Sequence, residues 1–405
     1  LSGPVGKDAQ EPVKNVVAPD DYEAVRTKAG RTFYLGKGLE DRERAQYLEL
    51  LTEYDDVFAW LPSDLVGIPP ELGEHHIDLM EGAVPVRQRQ YRLNPKYSMM
   101  VKEELDKLLE AGFIYPVNNS EWVSPIVVVP KKSGPDGKVK IRVCQDFRKL
   151  NAATKKDHFP LPFIDMVLDH VAGQECFSFL DGFSGYNQVS IRKEDQLKTT
   201  FTTDWGTYAF NRMPFGLCNA PGTFQRLMMD IFQDFLKHFL EVFIDDFAVF
   251  SRWVEHLDYL RKTFQRCRET KLKLHPGKCF FGMLAGLLLG HIVSRKGIAV
   301  DVAKVIVMLA LLAPTNLREL RGFLGCVGYY RRFIENYARL AMPLTELLKK
   351  EEEYLWTEIR QQAFEELKRR LVTAPILAPQ DWSNAFQSPL DAPCRCVGPI
   401  LWHCC

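Results

Sequence analysis

The chain has 405 residues, 52 Lys plus Arg against 52 Asp plus Glu, and 46% hydrophobic residues. That length accommodates about two to four domains, the composition excludes wholesale disorder, and no apolar run reaches the ~18 residues a membrane span needs. The net charge of zero speaks against a nucleic-acid partner, yet charge is segregated: net −8 over residues 1–80, +6 over 81–160, −6 over 161–250, +11 over 251–350 and −3 over 351–405.

In chain order, residues 1–20 form a polar end without periodicity. Residues 47–60 carry a short helical pattern, and 61–95 are a Pro- and Gly-rich extended connector. The spacing predicts a helix over 98–111, with Val101, Leu105, Leu108 and Leu109 on one face and Gly112 as its stop. Two strands follow, Ser124–Pro130 and 138–144. In the second, Val139, Ile141 and Val143 alternate with Lys138, Lys140 and Arg142. The turn signal Ser133-Gly134-Pro135-Asp136-Gly137 joins them into a hairpin with one cationic face and Lys131 and Lys132 near its tip.

Residues 161–172 read as a helix with Pro162 in its first turn, and 175–181 as an apolar strand ending in an acid. Phe224, Leu227, Met228, Ile231, Phe232, Phe235, Leu236 and Phe239 recur at helical spacing and predict one long helix over 221–240. Residues 241–250 are a strand pair interrupted only by Asp245-Asp246, and 255–272 an amphipathic helix. The apolar runs 283–289 and 305–312 read as core segments. Strands and helices do not strictly alternate, so the predicted class is α+β. The ten cysteines include no C-x-x-C pair, and the C-terminal group around His403 lacks the usual zinc spacing, so a reducing compartment is expected. Leu1 reads as a fragment edge or a processing site.

Acids inside Val242-Phe243-Ile244-Asp245-Asp246-Phe247 are costly to bury without compensation. An exposed hairpin tip is the plain explanation. The alternative brings in Asp181, which ends Phe177-Ser178-Phe179-Leu180. If the two segments are neighbouring strands, three carboxylates converge, and divalent cations would relieve their repulsion. Hard oxygen ligands suit Mg²⁺, and two ions about 3.5–4 Å apart serve phosphoryl transfer. The cationic hairpin with Lys131 and Arg142 could position a triphosphate, or be an ordinary solvated surface.

Several ordered motifs resemble those of reverse transcriptases. Phe177-Ser178-Phe179-Leu180-Asp181-Gly182-Phe183-Ser184-Gly185-Tyr186-Asn187-Gln188 resembles their first catalytic motif. The run from Met213-Pro214-Phe215-Gly216 through Phe224-Gln225-Arg226-Leu227-Met228 is similar to their template- and nucleotide-facing motif. Phe243-Ile244-Asp245-Asp246 resembles Tyr-x-Asp-Asp, and Leu289-Gly290-His291, preceded by Lys278-Cys279, resembles the primer grip. Residues 314–325 and Gly328-Tyr329-Tyr330-Arg331-Arg332-Phe333 point to the polymerases of gypsy-type long-terminal-repeat retrotransposons. The resemblance runs from about His75 to Leu377.

The resemblance implies a right-hand polymerase: an N-terminal linker or extension over 1–83, fingers and palm over 84–293, a thumb over 294–345, and a connection with a truncated ribonuclease H-like start over 346–405. It implies that Asp181, Asp245 and Asp246 bind two Mg²⁺ ions, with Mn²⁺ able to substitute. Lys131, Arg142, the Gly182 backbone, Tyr186, Phe215 and Gly216 would meet the incoming deoxynucleoside triphosphate, Tyr186 rejecting a 2′-hydroxyl. Asp146 and Phe147 would position the template, Phe243 would lie by the nucleic acid, and Leu289, Gly290 and His291 would hold the primer end. The implied partners are an RNA or DNA template, a primer such as a tRNA, and the protease, ribonuclease H and integrase parts of a Pol polyprotein, with no membrane. The implied location is a cytoplasmic particle and the nucleus.

Four features depart from the pattern. Phe243 replaces Tyr, Leu311-Leu312 replaces Trp-Pro, and residues 283–288 are unusually apolar. Residues 386–393 only weakly match a ribonuclease H start, with Asp391 as a lone first ligand, so no ribonuclease H activity is expected. The competing reading is a decayed remnant that binds primer–template without extending it.

Overall fold

The computed structural model describes residues 21–130, 140–350 and 352–379. The polar end, the hairpin tip with Lys131, Lys132 and Lys138, and the tail with Asp391 and the terminal cysteines lie outside the described residues.

A six-stranded sheet forms the centre. Its strand order is Tyr22–Arg26, Thr32–Gly36, Phe280–Met283, Cys176–Asp181, Asp246–Ser251, Leu240–Phe243, and every pairing is antiparallel except Phe280–Met283 with Thr32–Gly36. Successive side chains of a strand face opposite ways. Phe177, Phe179, Ala248 and Phe250 therefore enter one apolar cluster, and Leu180, Phe247 and Val249 enter the other. Burial on both faces explains why these strands read as unbroken apolar runs.

Helices Ala220–Ile231 and His256–Thr270 pack on one face of this sheet. Within that layer His256 is fully buried. Its imidazole bridges Ser178 Oγ and Ser251 Oγ, each at 2.8 Å, and Ser178 Oγ also accepts from the Gly282 N–H at 3.2 Å. Burial pushes His256 down to about 3, so a neutral ring ties three adjacent strands together.

A five-stranded sheet contains Ser124–Pro130 and Ile141–Gln145, paired antiparallel from Ile126↔Gln145 to Pro130↔Ile141. This is the hairpin expected from alternation, its second strand running over Ile141–Gln145 among the described residues. A three-stranded sheet of Ala285–Leu288, His291–Ser294 and Gly297–Val300 leads into helices Val302–Leu309, Leu317–Tyr329, Tyr337–Glu346 and Glu358–Val372.

Four expectations change. The stretch before residue 84 is not merely a linker or extension: Tyr22–Arg26 and Thr32–Gly36 extend the central sheet, and Asp41–Glu53 forms a helix whose first turn is closed by the Glu40 N–H donating to Glu43 Oε2 at 2.9 Å. That bond starts the helix six residues before the apolar pattern does. The expected 221–240 helix stops at Ile231. Lys237 adopts φ +64°, and the Phe250 N–H donates to Phe239 O at 2.9 Å, which draws Phe239 to the sheet edge. Helix Val302–Leu309 buries Val305 and Met308 but leaves Ile306 60% and Val307 63% exposed, with Leu312 at 88% just beyond it, so the 305–312 run is only half core. Residues 283–289 divide likewise: Met283 and Leu288 are buried while Leu284 and Leu287 are exposed.

Candidate active site

Asp181 ends Cys176–Asp181, Asp246 begins Asp246–Ser251, and the two are direct cross-strand partners. Asp246 also pairs with Phe243. Ile244 and Asp245 therefore make the tight turn of the hairpin, with Ile244 at φ +53°, a strained conformation for a β-branched residue. The acids do lie at a hairpin tip, yet that tip is not simply solvated, since Asp245 is half-buried beside Asp181.

Three contacts hold the turn. The Gly182 N–H donates to Asp245 O at 3.2 Å, and the His275 N–H to Asp181 O at 2.8 Å. Gln225 is fully buried on the neighbouring helix; its Nε2 donates to Val242 O at 3.1 Å and its Oε1 accepts from the Ile244 N–H at 2.6 Å. Gln225→Leu takes this partner from the buried Val242 carbonyl, at about 1–3 kcal/mol, and from the half-buried Ile244 N–H, at less. We expect a melting temperature several degrees lower and primer extension reduced about tenfold or more. Unchanged melting and extension would remove Gln225 from the support of this turn.

Burial, reinforced by repulsion from Asp181 and Asp246, pushes Asp245 up to about 6. Asp246 is raised by partial burial and by Asp181. Lys278 places Nζ 3.1 Å from both Asp181 carboxylate oxygens. No three His, Cys, Asp or Glu side chains among the described residues are arranged to hold a metal ion as they stand. The donor set nevertheless suits a hard cation. Asp245 Oδ1 is buried without a hydrogen-bond partner, and three acids close enough to repel one another are relieved by positive charge.

Tyr186 lies below this turn, with its ring centroid 4.8 Å from Phe215 and 5.5 Å from Phe224. It is 8% exposed, whereas Phe215 is 57% exposed and faces outward. Burial, then the Asp245 carboxylate, push the Tyr186 hydroxyl up to about 12, so it stays protonated. Gly216 adopts φ +99° next to Phe147. Asn151 fixes this loop: its Nδ2 donates to Gly216 O at 2.8 Å and its Oδ1 accepts from the Cys218 N–H at 2.9 Å.

The remaining residues divide. Arg142 is exposed on its strand, and Lys131 lies outside the described residues. The Gly182 N–H is occupied by Asp245 O, so the expected triphosphate contact through that amide is not free. Phe147 and His291 are both 2% exposed, which makes them supports rather than contact surfaces. The Asp146 carboxylate is held by Arg148, at 2.6 and 2.8 Å, and by the Tyr91 hydroxyl at 3.1 Å; the Arg148 guanidinium keeps it down at about 2. Arg148, 81% exposed at its side chain, is the group on view there. Leu289 and Gly290 form the tight turn between Ala285–Leu288 and His291–Ser294, and both have positive φ.

Sequence reasoning did not single out roles for Gln225, Asn151, Arg148 or Lys278. Gln225 and Lys278 stood inside quoted motifs, and that was their only signal. Gln225 and Asn151 bond to backbone groups that no residue pattern encodes.

Acids on adjacent strand ends of a mixed sheet, with an aromatic pair below them, define a polymerase domain. The chain carries a reverse transcriptase domain: residues 129–306 match the family described as reverse transcriptase (RNA-dependent DNA polymerase). It is 37% identical over 319 residues to the retrovirus-related Pol polyprotein from transposon 297 of Drosophila melanogaster, covering 78% of this chain and 30% of that protein. It is 34% identical over 369 residues to the Pol polyprotein from transposon 412 of the same organism, covering 91% of this chain and 30% of that one. The chain thus spans about a third of the length of these relatives. Among solved structures, a foamy viral protease-reverse transcriptase in complex with dsDNA superposes with a TM-score of 0.75 at 25% identity, covering 85% of this chain and 70% of that one. The foamy viral protein in complex with an RNA/DNA hybrid gives the same TM-score at 24% identity, covering 85% and 45%. No helix among the described residues is long and apolar enough to cross a membrane.

Proposed function

We propose that this chain is the RNA-directed DNA polymerase segment of a gypsy-type retrotransposon Pol polyprotein. It would extend a primer on an RNA or DNA template from deoxynucleoside triphosphates. The observation that carries the reading is the direct pairing of Asp181 with Asp246, with Asp245 beside them in the turn. These three acids would hold the divalent cations, Mg²⁺ by their hard oxygens. Two such ions would lower the pKa of the primer 3′-hydroxyl and neutralise the leaving oxygen of the pyrophosphate.

The chain's own residues supply position. For the acids to act, Lys278 must release Asp181. Phe215, with Gly216 pinned by Asn151, offers an aromatic face to the incoming base. Arg142, with Lys131, would meet the triphosphate, and exposed Arg148 would reach the template phosphates. The turn at Leu289-Gly290 would bear the primer end. Phe243 keeps the ring of the family's Tyr without its hydroxyl.

Tyr186 would lie under the sugar and exclude a 2′-hydroxyl by clash. Tyr186→Ala is expected to weaken discrimination against ribonucleotides by about 10²-fold, and Tyr186→Phe to leave it intact. Single-nucleotide incorporation of matched ribo- and deoxyribonucleotides measures this. Equal loss in both variants would count against a steric role.

Extension of a labelled DNA primer on an RNA template with Mg²⁺ or Mn²⁺ tests the function. Product above a chelator control is the expected result, and none with either metal overturns the reading. Phe243 specifically favours a second reading, a remnant that only binds. Retained primer–template affinity without extension would establish that one instead.

A further inference from the structure

The run Gly328-Tyr329-Tyr330-Arg331-Arg332-Phe333 has no part in the chemistry above. Two of its side chains nevertheless end on the Leu289-Gly290 turn. The Tyr329 hydroxyl donates to Leu289 O, and the Tyr330 hydroxyl donates to Gly290 O at 2.7 Å. A tight hairpin turn normally leaves its carbonyls to solvent. Here both carbonyls are taken by consecutive residues where helix Leu317–Tyr329 ends.

The two rings sit differently: Tyr329 is 40% exposed and is held from its inner side. Tyr330 is fully buried. His291 closes the turn, its Nδ1–H donating to Leu289 O at 3.1 Å. Its ring centroid lies 5.1 Å from Tyr329, 5.2 Å from Tyr330 and 5.7 Å from Phe333. Just after the helix, Arg332 reaches Asp165 at 3.2 Å and Asp169 at 2.7 Å on helix Ile164–Val171, beside the central sheet. On the outer side, exposed Lys304 lies 5.4 Å from the centre of the Tyr329 ring, and a Cβ on Gly290 would stand 2.3 Å from its Nζ.

We propose that Tyr329 and Tyr330 are positioning residues for the primer. Their hydroxyls set the height and tilt of the Leu289-Gly290 turn and couple it to the helices that follow. The proposal rests on the reading of that turn as the primer-bearing element. It assigns a job to two hydroxyls, separable from the packing of their rings.

The double variant Tyr329→Phe with Tyr330→Phe removes both donors and keeps both rings. Primer–template dissociation is expected to speed up about tenfold, as loss of two neutral hydrogen bonds allows. The KM for the incoming nucleotide at saturating primer–template should stay within about twofold, a split that general loosening of the fold would not give. Tyr329→Phe alone keeps the buried Tyr330 bond and should give about a threefold change, so the test survives if the double variant does not fold. Gly290→Ala, measured alongside, reports on the turn itself. If Gly290→Ala weakens primer–template binding and the Tyr variants do not, the proposal fails and the primer-turn reading stands. If Gly290→Ala has no effect, the primer-turn reading fails and takes the proposal with it. Weakening by both, with nucleotide KM preserved, supports it.

Discussion

Asp245→Asn is expected to lose primer extension by at least about 10³-fold, while the metal-free protein becomes more stable above pH 7. The loss follows because an amide is a poor ligand for a hard cation, and several kcal/mol of barrier lowering depend on that charge. The gain follows from the position of the carboxyl. Asp245 is pushed up to about 6 by burial and by its two acidic neighbours, against an ordinary value of about 3.9. The folded state therefore binds this proton more tightly than the unfolded chain does. Above pH 6 the folded protein bears the full cost of the charged form, and as pH falls from about 6 to 4 that cost disappears. Asn never bears it. In chelator at pH 8 the variant should exceed wild type by about 1–2 kcal/mol, a value discounted for partial exposure, and the two should converge near pH 4. Added Mg²⁺ should raise the melting temperature of wild type and leave the variant unmoved. Melts across pH 4–8 with chelator or Mg²⁺, beside extension assays, check both halves. A variant that extends normally, or is the less stable protein at pH 8 in chelator, would sink the assignment.

Gly185→Ala should cost about 10²-fold in extension rate with little change in primer–template affinity. A Cβ at Gly185 would stand 2.1 Å from Asp245 Oδ1 and 2.9 Å from Phe224 Cζ. Phe224 is fully buried and cannot retreat. Asp245 must then leave its place, in a site where displacement by about 1 Å is enough to lose that factor. Gly185 is needed for the space it leaves, not for its backbone conformation, since its φ is not among the positive ones. Single-turnover rates with saturating primer–template measure the effect, and a change within about threefold would show that the carboxylate tolerates the methyl.

The site was legible where chemistry is written in neighbouring residues. Phe177 to Asp181 and Val242 to Phe250 read as strands because both faces of their sheet are buried, and their acids stood out against that background. Ser124–Pro130 and Ile141–Gln145 were legible through alternation and a strong turn. The rest depended on partners far along the chain. Tyr22–Arg26 and Thr32–Gly36 gave no signal, since the strand that Thr32–Gly36 adjoins, Phe280–Met283, lies more than 240 residues later. The helix ending at Ile231 was overrun because Phe235 and Phe239 keep the helical period after the backbone has turned at Lys237. Phe147 and His291 stood inside the quoted motifs, but only packing shows that both lie beneath the surface.

The parallel pairing of Phe280 with Tyr34 and Phe281 with Leu35 bears on where the chain tolerates a break. A proteolytic cleavage anywhere between residues 37 and 83 that let the N-terminal piece go would strip two strands from the central sheet. Phe280–Met283 would become an open edge next to the strand that carries Asp181, with Phe281, now fully buried, at that edge. Open apolar edges recruit other strands and aggregate. The edge of Phe280–Met283 therefore stays covered only in a piece that keeps Thr32–Gly36, and the family-matched stretch beginning at residue 129 lacks that strand.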